Sequence, residues 1–280
     1  MRELKDGEVI DVLAVIEAAA DADGVGPLSE HAVLALRGGH GGLVISDDDT
    51  IVAYAHRDPE AGELVVHPKH RRLGHGRALL RALREAAGES FRVWAHGDLP
   101  AAAALAETEG LTRVRALFQM RRPASGPLPE PHLAECVTLR TFEPGRDENA
   151  WLHVNARAFA HHPEQGAWTI EDVRDREAED WFDPSGLFLA ERDGRLAGFH
   201  WTKVHPDGLG EVYVVGIDPD AQGFGLGRTL TLTGLHHLRD VGVDQFMLYV
   251  DESNTAAVHL YESLGFTPHT VDVMYASNSE

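Results

Sequence analysis

Two stretches of the chain combine residue types at a spacing that could do chemistry. Residues 222–228 read Gln222-Gly223-Phe224-Gly225-Leu226-Gly227-Arg228, after the apolar run "EVYVVGI" and before the helix-forming run "TLTLTGLHHL". The first N–H groups of a helix lack intrahelical partners, and the helix dipole adds partial positive charge there. Glycines clear side chains from the approach, so a phosphate can reach those N–H groups, and Arg228 can add a cation. A tight turn would use the same glycines, so the loop alone leaves both readings open. A second copy, "VHPKHRRLGHGR", occupies residues 66–77 at a constant shift of 151, with Pro68, Arg71, Gly74, Gly76 and Arg77 opposite Pro219, Gln222, Gly225, Gly227 and Arg228.

Other chemistries find less support. The Walker pattern is absent, and no glycine falls three residues after Gly225 or Gly227, as the dinucleotide fingerprint requires. The lone Cys136 enters an expected strand with no histidine placed by motif, and one cysteine allows no intrachain disulfide. The adjacent pair His161-His162 lacks zinc spacing, and no metal is expected. The formal charge is -20, and residues 141–280 hold 24 acidic against 9 basic residues. That field disfavours nucleic acid and anionic membranes and would attract a cationic substrate. No apolar run suits a membrane span and the N-terminus is not a signal peptide, so a cytoplasmic protein is expected.

Certain elements must position the loops. The 280 residues suit two domains. Four prolines in residues 121–133 mark the boundary, giving a first domain over 1–122, a stiff linker over 123–133 and a second domain over 134–280. The chain opens as strand then helix. In the second domain "CVTLRTF" reads as a strand, Asp147 to Phe159 as a helix, and Thr169 with Asp172 as the start of another helix. A hairpin turns at Asp193-Gly194, and the strand 211–217 feeds the glycine loop and a helix to Asp240. Then come the strand "QFMLYV", a helix "NTAAVHLYESLG" ended by Gly265, and the strand "VDVMYA". The stretches 110–122 and 265–276 are alike, each expected to close its own domain. This α/β (α+β) order predicts mixed, mainly antiparallel sheets with helices on both faces.

The strand, the loop Gln222-x-x-Gly225-x-Gly227, and then Asn254, Ala257, Tyr261, Gly265 and Phe266 at their spacing resemble the acyl-CoA fingerprint of the GCN5-related N-acetyltransferase (GNAT) superfamily. With "FAHHPEQG", "GFHWTKVH", "GEVYVVGIDP" and "LGFTPHTVDVMYA", and "ELVVHP" in the first half, nearly the whole chain is similar to the mycothiol synthase family, also called mycothiol acetyltransferases. The resemblance implies two tandem GNAT domains and acetyl transfer from acetyl-CoA to the cysteinyl amine of a cysteinyl-glucosaminyl-inositol precursor, a cationic amino-thiol sugar. A monomer is expected.

By resemblance, Glu211 is the general base and Tyr261 the general acid. From the residues alone, Glu211 could equally be a solvated strand-start glutamate and Tyr261 a packed core tyrosine. The cofactor contacts implied are Val215, Gly216 and Ile217, the loop Gln222, Gly223, Phe224, Gly225, Leu226, Gly227 and Arg228, and the run Asn254, Thr255, Ala256, Ala257, Val258 and His259. The first half would offer Leu64, Val65, Val66, Arg72, Leu73, Gly74, His75, Gly76 and Arg77 to a second CoA. Glu30, Glu164, Lys203, Glu211 and Tyr249 would hold the substrate. In the first half Asp98 falls opposite Asn254 and Leu105 opposite Tyr261, and leucine cannot donate a proton. Glu60 falls in register with Glu211 but in a turn. One catalytic half and one binding half are therefore expected. The competing readings are a GNAT enzyme for another amine, such as an aminoglycoside or a protein N-terminus, and a non-catalytic acyl-CoA-binding module.

Overall fold

A computed structural model describes residues 1–59, 61–88, 91–161 and 165–277. By packing, the chain divides into two units: Met1–Phe118 with Asp251–Ser253 and Thr270–Glu280, and Gln119–Val250 with Asn254–His269.

In the first unit the strands β1 (Arg2–Glu3), β2 (Gly42–Asp47), β3 (Thr50–His56) and β4 (Glu63–Val66) form an antiparallel sheet in chain order. Helices α1 (Val9–Asp23) and α2 (Glu30–Arg37) bury Val12, Val15, Ala19 and Leu36 against Val44 and Tyr54 on one face. Helix α3 (His75–Ala87) buries Leu79, Leu80 and Leu83 against Val52, Ala53 and Ala55 on the other. Strand β5 (Arg92–Ala95) follows, then helix α4 (Pro100–Thr108) and the long strand β6 (Leu111–Pro123). The edge of β5 is covered by the last strand, β12 (Thr267–Ser277), with Val273 opposite Ala95 and Tyr275 opposite Val93. The part of β12 from Thr270 onward thus packs in the first unit rather than closing the second. The reason is physical: an open row of β5 backbone groups needs a partner, and a pairing this distant in sequence leaves no local signal.

The second unit follows the expected order. Strand β7 (Val137–Thr141) precedes α5 (Glu148–Ala158) and α6 (Ile170–Glu177), and a reciprocal Thr169–Asp172 capping box starts α6. The hairpin of β8 (Leu187–Arg192) and β9 (Arg195–Val204) turns through Asp193 and Gly194, both at positive φ. Then come β10 (Leu209–Ile217), α7 (Leu226–Asp240), β11 (Gln245–Asp251) and α8 (Thr255–Ser263), with Gly265 at positive φ beyond the last. The pairs β7–β8, β8–β9 and β9–β10 are antiparallel, and β10 and β11 are parallel. Trp151, Val154 and Val173 from α5 and α6 pack on Leu187, Leu189, Phe199 and Trp201, while Leu226 and Leu230 of α7 cover Val137, Ala190 and Ala197 on the opposite face. Gly234 is required for α7 to lie this close: a Cβ there would overlap the fully buried His200 ring.

The proline stretch is not a free spacer. Strand β6 runs through Arg121 and Arg122 to Pro123, three residues into it. The Arg122 guanidinium donates to the carbonyls of Leu264 and Pro127, Thr229 Oγ1 donates to the His132 carbonyl, and Ala124 N donates to Asp244 O at 2.9 Å. Among the described residues no helix is long and apolar enough to cross a membrane.

Candidate active site

Strand β10 is where the second unit departs from a regular sheet. On its β9 side the register shifts between Val212 and Val214, so Tyr213 is an extra residue, a β-bulge. On its β11 side pairing covers only Leu209 to Val212. From Val214 to Ile217 the strand pairs β9 alone, which leaves backbone groups of its other edge available to an extended ligand. The bulge bends the strand at that point. No signal in "EVYVVGI" marks it.

Glu211 sits just before the bulge and is buried. Its Oε2 lies 2.7 Å from His205 Nε2 across the β9–β10 turn, where Gly208 takes positive φ. Sequence reasoning missed His205, although the turn signal Pro206-Asp207-Gly208 beside it would have brought it back toward Glu211. Lys203 stands opposite Glu211 on β9. It too is buried, with Nζ 4.4 Å from the Trp181 ring centroid and 5.2 Å from that of Tyr213. Arg176 Nε donates to the Tyr213 hydroxyl at 2.8 Å, and its guanidinium lies 3.8 Å over Trp168. The bulged tyrosine is thereby fixed in a cationic and aromatic wall.

At the other end of β10, Asp218 and Asp220 are clamped by Arg157 of α5, whose Nε reaches Asp218 Oδ2 at 2.7 Å. Hydrogen bonding to Arg157, against the cost of burial, holds the Asp218 carboxyl below its usual range. Gly223 and Gly225 take φ of 86° and 73°, and Gly225 is the N-cap of α7. Nothing lies within 4 Å of a Cβ at either, and a Cβ on Gly227 would meet only Ile217, at 3.8 Å. The glycine positions at the start of α7 therefore border open space, and a helix N-terminus there suits an anion. Arg228 stands beside it, donating from Nη1 to Ser263 Oγ at 2.9 Å.

Asn254 caps α8, its Oδ1 accepting from Ala257 N at 3.2 Å, which leaves its amide donors for other work. Tyr261 lies two turns on, buried, its ring packed edge-on against Phe266, and burial pushes its phenol up to about 12. The substrate residues are less concentrated. Tyr249 is exposed and its hydroxyl accepts from Gln119 at 2.8 Å. Glu30 is the first residue of α2, in the other unit. Glu164 and Glu60 lie outside the described residues.

The first copy keeps the loop and loses the rest. Arg71 has the backbone angles of Gln222 (φ -73°, ψ 162°), and Gly74 has positive φ like Gly225. Even Arg72 takes φ 65°, a conformation that costs a non-glycine residue roughly 1–2 kcal/mol. Arg77, however, is paired to Glu109 at 2.9 Å, and Arg71 is bound to Asp23 through two hydrogen bonds of 2.7 Å. The register of β4 with β3 is continuous, without a bulge. Its first residue, Glu63, is buried and accepts from Ser29 N and Ser29 Oγ, both at 2.6 Å, and from His96 Nε2 at 3.3 Å. His96 Nδ1 lies 3.0 Å from Asp272 on β12. Burial opposes charge here, but the hydrogen bonds outweigh it: His96 is pushed up to about 10 and Glu63 is held below the usual carboxylate range. Glu63 is a locked anion, not a base awaiting a proton. Leu105, opposite Tyr261 by the repeat, packs against the α3 core.

Similarity to known proteins shows the family. Residues 150–266 match the Acetyltransferase (GNAT) family and residues 38–110 a GNAT acetyltransferase domain. A mycothiol acetyltransferase from Thermomonospora curvata is 66% identical over 98% of this chain and 95% of its own, and one from Thermobispora bispora is 62% identical over 96% of each. Among solved structures, a GCN5-related N-acetyltransferase from Sphaerobacter thermophilus matches with TM-score 0.69 at 25% identity, covering 98% of this chain and 93% of that one. A tandem GNAT protein from the clavulanic acid biosynthesis pathway has the same TM-score at 19% identity, over 99% and 97%, and shares the fold.

Proposed function

The chain belongs to the mycothiol acetyltransferase family of GNAT acetyltransferases, and from that membership we propose that it acetylates the cysteinyl amine of the cysteinyl-glucosaminyl-inositol precursor, giving mycothiol and coenzyme A. The observation that carries the reading is the half-paired β10: an edge open from Val214 to Ile217, lying between the buried Glu211 and an anion-ready helix terminus.

The pantetheine arm would lie along Val215–Ile217, with the pyrophosphate on the Gly223–Arg228 loop. Fixing both partners removes much of the entropic barrier. Glu211 takes the proton of the attacking ammonium, directly or through water, and is oriented by His205. The amine nitrogen forms a bond to the acetyl carbon, and a backbone N–H freed by the bulge receives the carbonyl oxygen as charge gathers on it. The C–S bond then breaks, the thiolate takes a proton from Tyr261, and the second proton, released by the nitrogen as it becomes the amide, is returned to Tyr261 through water. The first domain (1–122) is proposed to be non-catalytic, joined through 123–133 to a catalytic second domain (134–280). The enzyme is proposed to act in the cytoplasm as a monomer.

The test is acetylated product followed by mass, with acetyl-CoA and the precursor, beside a panel that includes an aminoglycoside and a peptide N-terminus. Turnover confined to the precursor is expected. Turnover on another amine would keep the mechanism and discard the substrate. Binding of acetyl-CoA with no turnover on any amine would leave an acyl-CoA-binding module.

A further inference from the structure

A second cluster of chemically capable side chains stands in the first unit, apart from the glycine loops. His56 ends β3, Asp58 follows two residues later, and His31 occupies the first turn of α2. The three ligand atoms they offer all lie within 4.8 Å of one another, and His31 Nε2 is 3.2 Å from Asp58 Oδ2. Among the described residues no other group of this kind is gathered.

His56 is the informative member. It is only 3% exposed, and both of its ring nitrogens are buried without a hydrogen-bond partner. A buried polar group left without a partner costs about 1–3 kcal/mol, and native proteins leave few. Glu63 and Asp58 bring negative charge near the ring, with His31 and His40 acting in the opposite sense. The His31 and His56 rings meet edge to face with centroids 6.2 Å apart, and the exposed His31 can swing toward a shared centre. Bonds of about 2.0–2.1 Å to nitrogen and oxygen in a tetrahedral site put ligand atoms about 3.3 Å apart, which the trio reaches by a small closure.

We propose that His31, His56 and Asp58 form a binding site for a divalent transition-metal ion, zinc by the borderline character of the two-nitrogen, one-oxygen donor set, with a water in the fourth position. The ion would tie the start of α2 to the end of β3 and satisfy the stranded His56 nitrogen. The ligands are 25 and 2 residues apart in the sequence and no zinc motif joins them, which is why the sequence alone led to no metal being expected. The site does not depend on the acetyl-transfer reading.

The test uses the full chain without an affinity tag, stripped with EDTA and dialysed. Zinc is titrated in competition with a chromogenic chelator, and cobalt is added to read the visible band of a four-coordinate site. One saturable zinc per chain is expected, with a higher Tm when loaded. His31→Ala and Asp58→Asn, both at sites that leave the apolar core intact, should each weaken zinc at least tenfold and abolish the Tm rise. Equal affinity and stoichiometry in both variants would place the ion on other histidines and overturn the proposal. So would the absence of saturable binding, with a water then satisfying His56.

Discussion

His205 Nε2 and Glu211 Oε2 are 2.7 Å apart, six residues apart in the chain and joined across the turn that begins β10. The bond ties a buried carboxylate to a half-buried ring at the mouth of the strand that would hold acetyl-CoA. Glu211→Gln keeps the volume and removes the base, so kcat should fall about 10²–10⁴-fold while acetyl-CoA binding persists. A charge-assisted hydrogen bond is worth about 1.5–3 kcal/mol, so His205→Ala should cost roughly 10–100-fold in kcat with the acetyl-CoA KM unchanged. Steady-state kinetics check both. Unchanged turnover in Glu211→Gln would sink the mechanism, and a purely structural His205 would lower Tm without moving kcat.

Tyr261 is a buried phenol held up to about 12 by desolvation, so it stays protonated across the whole working range and can serve as an acid there. Tyr261→Phe preserves the ring contact with Phe266 and deletes the proton. kcat should drop about 10²–10⁴-fold with little loss of stability. The alkaline limb of the wild-type pH–rate profile should not report this tyrosine. The variant's profile, recorded to pH 10, should keep the same limb at lower amplitude.

Gly227 and Gly76 are matched positions near the starts of α7 and α3. An added Cβ meets Ile217 at 3.8 Å in one and Leu105 at 3.5 Å in the other, both ordinary contacts. Alanine at either should therefore fold normally, with a gain of up to about 1 kcal/mol from helix propensity. Gly227→Ala puts a methyl where the phosphate would approach and should raise the acetyl-CoA KM about tenfold. Gly76→Ala should leave turnover alone, because Arg77 is already paired to Glu109. Calorimetric titration of CoA into both variants tests whether the first loop binds at all.

Local chemistry made much of this legible. The Thr169–Asp172 box, the Asp193-Gly194 turn and Gly265 each mark an element end by a short-range rule, and the second unit's elements fall in the order those rules imply. Three features escaped because they are settled by pairing across distance. The bulge at Tyr213 depends on β9, the start of β10 at Leu209 depends on its parallel contact with β11, and the docking of β12 on β5 joins residues some 180 positions apart. Glu63 escaped for a different reason. Aligning the glycine loops pointed to Glu60 as the match for Glu211, whereas the buried carboxylate at the start of β4 is Glu63, opposite Val214 at the same shift, and its partners Ser29 and His96 are distant in sequence.

The Glu63–His96–Asp272 cluster should govern alkaline stability. His96 is held up to about 10 in the folded protein against an ordinary 6.5. Below pH 6.5 both states carry the proton and its contribution is fully present; between 6.5 and about 10 only the folded state keeps it, so stability falls as pH rises. Glu63, held below 4.5, contributes above that value and is lost as pH drops. His200, pushed down to about 4 by burial, acts only below 6.5, where it too lowers stability as pH falls, so the window from 6.5 to 10 is left to His96. Urea midpoints should therefore decline steadily from pH 6.5 to 9.5. His96→Gln leaves two buried carboxylates without their cation and should lose about 3–5 kcal/mol at pH 6.5, with a much flatter dependence above it. Asp272→Asn, a milder change, should reduce the slope without abolishing folding. A His96→Gln protein with the wild-type slope would mean that the imidazolium is not what binds β12 to this end of the first unit.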